Sequence, residues 1–153
     1  MTENVAFSGT IVNGVHRLDA RVYFADTDFS GVVYHGRYLE FLERGRSEFL
    51  RVSNIHHHAL AQGILGEKIV WIVRKMTIDF KKPAYIDDHL IIETRIDHMS
   101  GARIEMAQSV LCQEQILVFA HVDVALINDQ GRPRRFPKDF IEKWQPYIRS
   151  IDK

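Results

Sequence analysis

Between residues 35 and 52, Tyr38, Leu42, Gly45, Phe49 and Val52 recur at steps of four, three, four and three. That spacing lines one side of an α-helix. Glu40, Glu43, Arg44, Glu48 and Arg51 fill the other faces, with Glu40 and Arg44 in the favourable i,i+4 order. A shorter helix is predicted over residues 56–62, ended by Gly63 and Gly66. Elsewhere the period falls to two. Residues 17–24 (RLDARVYF) read as a first strand. Residues 69–80 (IVWIVRKMTIDF) place Val70, Ile72, Met76, Ile78 and Phe80 on one face, with Arg74 as the exception, and Trp71, Lys75, Thr77 and Asp79 on the other. Residues 90–97, 102–112 and 116–128 follow as further strands, separated by a Met-Ser-Gly turn near residue 100 and a Gln113-Glu114-Gln115 turn. Connectors this short join antiparallel neighbours, so the four later strands are expected to form a meander. A final helix is predicted over about 137–148, with Pro137 an acceptable early residue.

The order of strand, long helix and four strands predicts one antiparallel sheet with a helix on its apolar face, an α+β arrangement. The helical stripe is narrow but bulky, which favours a curved sheet wrapped around it. No repeat, low-complexity tract or Pro/Gly/Ser linker divides the chain, so residues 1–153 are expected to form a single domain. A lone sheet leaves two open edges, and dimerisation through an edge strand is predicted.

Composition narrows the function. Lys plus Arg equals Asp plus Glu at 20 each. A formally neutral chain lacks the basic excess that drives phosphate-backbone binding, so no nucleic acid is expected as partner. Cys112 is alone and cannot form an internal disulfide, which points to a reducing, cytoplasmic setting. The longest apolar runs, residues 69–73 and 116–120, fall short of the ~20 residues of a membrane span or the ~7 to 15 of a signal core. No transmembrane segment is expected.

Chemistry concentrates between the first strand and the long helix, in Asp26-Thr27-Asp28-Phe29-Ser30-Gly31-Val32-Val33-Tyr34-His35. Here carboxylates on a Gly-containing turn precede a helix N-terminus, whose free N–H groups favour negative charge. A base beside an anion hole suits acyl transfer. The same residues also suit a purely structural part, shaping and capping the turn, and Asp26 is read mainly that way. The triplet His56-His57-His58 has no further Cys, Asp or Glu at a zinc-like spacing, so no metal site is expected. A haloacid-dehalogenase-type phosphatase, suggested by Asp26-x-Asp28 and Asp87-Asp88, needs a parallel sheet with intervening helices, which residues 69–128 do not offer.

Residues 26–51 (DTDFSGVVYHGRYLEFLERGRSEFLR) resemble the signature of hotdog-fold acyl-CoA thioesterases of the 4-hydroxybenzoyl-CoA thioesterase type, closest to the branch associated with the Tol-Pal cell-envelope system. The likeness rests on Asp26, Asp28, Gly31, Val32 to His35, Tyr38, Glu43 and Arg46. It extends to Pro83-Ala84-Tyr85-Ile86-Asp87-Asp88 and Asn128-Asp129-Gln130-Gly131-Arg132-Pro133. The resemblance implies a hotdog fold, a five-stranded antiparallel sheet around a long central helix, working as a homodimer or homotetramer with active sites between subunits. It implies an acyl-CoA thioesterase in which Asp28 acts as nucleophile or general base and the backbone N–H of His35 polarises the thioester carbonyl. Tyr34 and the His35 side chain complete the catalytic group. Gly31, Phe29, Ser100, Arg103 and Lys82 are implied as substrate-binding, with Lys81, Arg132, Arg134 and Arg135 as further candidates for the CoA phosphates. CoA is part of the substrate and no cofactor is implied. The partner is an acyl-CoA, or an acyl-carrier protein. The alternative is a module that binds acyl-CoA or acyl-carrier protein without turnover. Two departures stand out: Phe29 where a smaller residue is frequent, reshaping the acyl pocket, and Gly45 where alanine is usual.

Overall fold

The computed structural model describes residues 5–148 and 150–152. In chain order it contains α1 (Val5–Ser8), β1 (Thr10–Val12), β2 (Val15–Arg21), α2 (His35–Val52), α3 (His57–Ala61), β3 (Ile69–Phe80), β4 (His89–Ser100), β5 (Arg103–Cys112), β6 (Gln115–Asn128), β7 (Pro133–Arg134), α4 (Lys138–Trp144) and β8 (Ser150–Asp152). The five expected strands are β2 and β3 to β6. Short β1, β7 and β8 extend the sheet, which runs β1-β2-β4-β5-β6-β3, with β7 beside β6 and β8 beside β4. All pairings are antiparallel except that of β8 with β4.

The expected meander is corrected. β3 pairs with β6 at the far edge, three positions from β4. Connector 81–88 therefore crosses the end of the sheet. Three strand spacings are about 14 Å, while eight extended residues reach about 26 Å, so the connector is long enough to pass two intervening strands. Its length excluded a parallel crossover, not a jump.

β3 also corrects the expected alternation. Its register with β6 slips between Val73 and Lys75. The extra residue, Arg74, makes a bulge that swaps the facing of everything before it. Ile69 is buried and Trp71 packs on the core, as do Met76 and Ile78 beyond the bulge, while Val70 is exposed. The first strand stops at Arg21, three residues early, because Phe24–Asp26 forms a 3-10 turn. The last helix is likewise shorter, ending at Trp144.

The long helix has the predicted bounds, His35–Val52, and buries Tyr38, Phe41, Leu42, Gly45, Arg46, Phe49 and Leu50. It packs on β2, β4 and β5. Gly45 is the point of closest approach: a Cβ there would sit 2.7 Å from Ile92 Cγ2 and 2.9 Å from Thr94 Oγ1. Beside it Arg46 Nη1 donates to Gln108 Oε1, and Gln108 Nε2 donates to the Leu42 carbonyl and to Thr94 Oγ1, each at 2.9 Å. This network satisfies polar groups that would otherwise be stranded between helix and sheet. Further along, Trp144 of α4 is fully buried among Phe49, Trp71, Phe136 and Phe140 and donates its Nε1–H to Ser53 Oγ.

Candidate active site

The chain between β2 and α2 is held by connector 81–88. Val22 N–H donates to Asp88 O, and Asp87 N–H to Val22 O, both at 2.9 Å. Val33 N–H donates to Ala84 O at 2.9 Å, and Val32 bridges to Tyr85. The crossing that sequence periodicity did not anticipate thus forms the bed of the turn.

Asp26 does what the turn reading expects. It is 8% exposed, accepts from the Tyr23 N–H at 2.8 Å and pairs with Arg37 Nε of α2 at 3.3 Å. Asp28 points to solvent. Its Oδ1 accepts from the Ser30 N–H at 2.8 Å and from Ser30 Oγ, an Asx-type turn. The turn closes through Gly31 N–H to Asp28 O at 3.1 Å and Asp28 N–H to Val32 O at 3.0 Å. Gly31 sits at φ +86°, in the left-handed region that disfavours a side chain. The Ser30 hydrogen bonds, first the hydroxyl and then the N–H, hold the Asp28 carboxyl below its ordinary value, with His35 adding a smaller charge effect. The carboxyl is therefore ionised at neutral pH.

His35 is the first residue of α2, with Tyr34 as N-cap offering no side-chain hydrogen bond to the helix end. The first-turn N–H groups of an α-helix have no partner within the helix. The His35 ring packs edge-on against Phe80 at 4.7 Å between centroids. Tyr34 carries the Arg37 guanidinium over its ring at 5.2 Å.

One cavity of about 280 Å³ is lined by Asp28, Val32, Val33, Tyr34, His35, Tyr38, Phe80, Lys81, Lys82 and Pro83. It unites Asp28, Tyr34, His35 and Lys82. Gly31 shapes the turn outside it. Phe29 projects fully into solvent at 107% relative exposure, away from the cavity of a single chain. Ser100 and Arg103 close the β4–β5 hairpin at the other end of the sheet. Arg103 lies opposite Ala125, itself opposite Ile72 of β3. Ile72 and Phe80 are about 25 Å apart at ~3.3 Å per residue, so Ser100 and Arg103 do not meet Asp28 within one chain. Arg103 pairs there with Asp123, while Arg135 Nη1 comes within 3.6 Å of the Cβ position at Gly101. Two basic segments thus converge at the hairpin.

Sequence reasoning placed Tyr38 in the core and Phe80 on a strand face; both also line the cavity. Ser30, treated as a turn former, holds the key carboxylate. The Asp-x-Ser spacing was the available signal. Of the histidine triplet, His57 Nε2 meets Ser47 Oγ at 3.0 Å and burial pulls its pKa down. Among the described residues no group of three or more His, Cys, Asp or Glu is placed to hold a metal ion, and no helix is long and apolar enough to cross a membrane.

Residues 22–144 match the family described as Thioesterase-like superfamily. The chain is 38% identical over 131 residues to the acyl-CoA thioester hydrolase YbgC of Escherichia coli O6:H1, covering 84% of this chain and 95% of the relative. It is 38% identical over 120 residues to the acyl-CoA thioesterase YbgC of Haemophilus influenzae, covering 78% and 86%. A crystal structure named "Probable Thioesterase", from Bartonella henselae, superposes with a TM-score of 0.79 at 57% identity, covering 80% of this chain and 99% of that one. On sequence and fold together, the chain belongs to the thioesterase-like superfamily and has its hotdog fold.

Proposed function

We propose that the protein hydrolyses the thioester bond of an acyl-CoA, releasing a free acid and CoA. The observation that carries this reading is the meeting, in one cavity, of an ionised Asp28 carboxylate and the uncapped N-terminus of α2. The names of the relatives supply the substrate class: hydrolysis of acyl-CoA thioesters is the activity attached to the YbgC proteins.

In this reading the thioester carbonyl lies against the N–H of His35. Asp28 either attacks the carbonyl carbon or takes a proton from the water that does. The developing oxyanion is held by fixed N–H dipoles, which are worth more where water is excluded. The carbon–sulfur bond then breaks and CoA leaves as a thiolate, protonated by Asp28 or by solvent water; where Asp28 itself attacked, water then hydrolyses the mixed anhydride left on it, freeing the acid and restoring the carboxylate. Water is the only co-reactant, so no cofactor takes part. Lys82 stands at the cavity rim. Because Ser100 and Arg103 lie far from Asp28 in one chain, their contact with the CoA nucleotide belongs to a neighbouring subunit's substrate. That requires a homo-oligomer, dimer or tetramer, with Arg132, Arg134 and Arg135 adding positive charge at the same end. Phe29, exposed in one chain, would then meet the acyl group or the adjacent subunit. The whole chain is taken as one thioesterase domain acting in the cytoplasm, where CoA thioesters or acyl-carrier-protein thioesters are available.

Free-thiol release across a panel of acyl-CoAs, from short aliphatic through palmitoyl to aromatic, tests the reading. Turnover of at least one member is expected. Binding of acyl-CoA with no thiol released from any of them would instead mark an acyl-binding module.

A further inference from the structure

Tyr38 is 3% exposed, yet its phenol lines the same cavity as Asp28 and His35. It sits one turn into α2, and long helical side chains lean back toward the N-terminus. This aims the ring beneath the turn that carries the site. Its oxygen accepts the Ala84 N–H at 3.0 Å. A phenol can also donate, and no acceptor for that proton is found among the described residues. Buried tyrosine hydroxyls normally find a partner, and here the acceptor role is filled by Ala84 while the donor role is left for a ligand. Burial raises the pKa of this group, so the proton stays on it at neutral pH. Its ring lies 5.7 Å from that of Phe80, and Val32, Val33 and Pro83 add further apolar lining to the cavity. Unlike the exposed Tyr34, the buried Tyr38 phenol is therefore a neutral donor set among apolar lining residues, apart from the helix N–H groups that receive the carbonyl.

We propose that Tyr38 is a specificity-determining residue whose hydroxyl donates to an oxygen carried on the acyl group, so that the site favours hydroxy- or oxo-acyl thioesters over their plain hydrocarbon counterparts. This rests on the acyl-thioester reading above. An all-hydrocarbon acyl group would displace water from the phenol and leave its proton unpaired, a penalty that an oxygen-bearing group avoids.

The test compares kcat/KM of the native protein on butyryl-CoA and on the hydroxybutyryl-CoA isomers and acetoacetyl-CoA, then repeats it on Tyr38→Phe. The native protein should favour at least one oxygen-bearing substrate by about tenfold, the scale of one neutral hydrogen bond. Tyr38→Phe should bring that preference to within about twofold, the oxygen-bearing substrate losing rate relative to butyryl-CoA. Equal kcat/KM on butyryl-CoA and every oxygen-bearing analogue overturns the proposal and needs no variant, so it holds even if Tyr38→Phe fails to fold. An equal fall on all substrates in a folded Tyr38→Phe overturns it too, assigning the phenol to the shared carbonyl or to anchoring Ala84. Thiol release from no acyl-CoA at all defeats the hydrolase reading itself, and this proposal with it.

Discussion

The pKa of Asp28 is held below its ordinary value chiefly by its neighbour two residues on. Both the hydroxyl and the N–H of Ser30 stabilise the ionised carboxyl, and these are the largest causes of its lowered pKa. If the reaction needs the carboxylate, activity persists as pH falls until that lowered pKa is reached, and disappears below it. Ser30→Ala removes the hydroxyl contribution, so the acid limb of the kcat/KM profile should move to higher pH while the plateau is largely kept. An unmoved acid limb would mean that another group sets it. The contrast with Asp26 shows what a sequence can convey at this scale. Two aspartates in one Asp-x-Asp turn look alike, yet one is buried against Arg37 and the Tyr23 N–H while the other faces solvent and the cavity. The motif resemblance singled out Asp28 as the candidate; local pattern alone did not distinguish the two environments. Tyr38 shows the opposite limit. Its place in the apolar stripe was legible, but the pairing of its hydroxyl with Ala84, 46 residues away, was not.

At the scale of elements, α2 was legible to the residue because five stripe positions agree with one period and no proline interrupts them. β3 was legible as a strand but not in its facing, since the bulge at Arg74 adds one residue and reverses the alternation. Its partner was hidden as well, because connector length permits adjacency and crossing alike. Buried Arg46 lay outside any hydrophobic pattern, and its acceptor, Gln108, comes from β5. Where α2 meets the sheet, Gly45 leaves no space for a methyl group. Gly45→Ala would gain about 1 kcal/mol of helix propensity against about 1–3 kcal/mol for overpacking. The crowding should win, because Ile92 and the Thr94–Gln108 network are themselves locked in the core. A net loss of about 1 kcal/mol should lower Tm by about 2–4 °C for a chain of this size. A Tm that rises would show that helix and sheet separate easily here.

The site proposed above is shared between chains, and three features of the single chain bear on that proposal. β3 is paired on one side only among the described residues, and Val70, Val73 and Phe80 on it are exposed. The Asp28 carboxylate faces solvent, and the basic end of the sheet lies about 25 Å along β3, at ~3.3 Å per residue, from the Asp28 cavity. Association that places one chain's Asp28 end beside another's Arg103 end answers all three. Size-exclusion chromatography with light scattering should accordingly give at least twice the mass of one chain, and a clean, active monomer would refute the shared site. The central claim is narrower, that this hotdog domain cleaves acyl-CoA with Asp28. It is tested most directly by thiol release from the native protein and Asp28→Asn side by side on its best acyl-CoA. The account expects a fall of about 10²- to 10⁴-fold with the fold intact, the usual cost of losing such a group. Activity of Asp28→Asn within a few-fold of the native protein would contradict it.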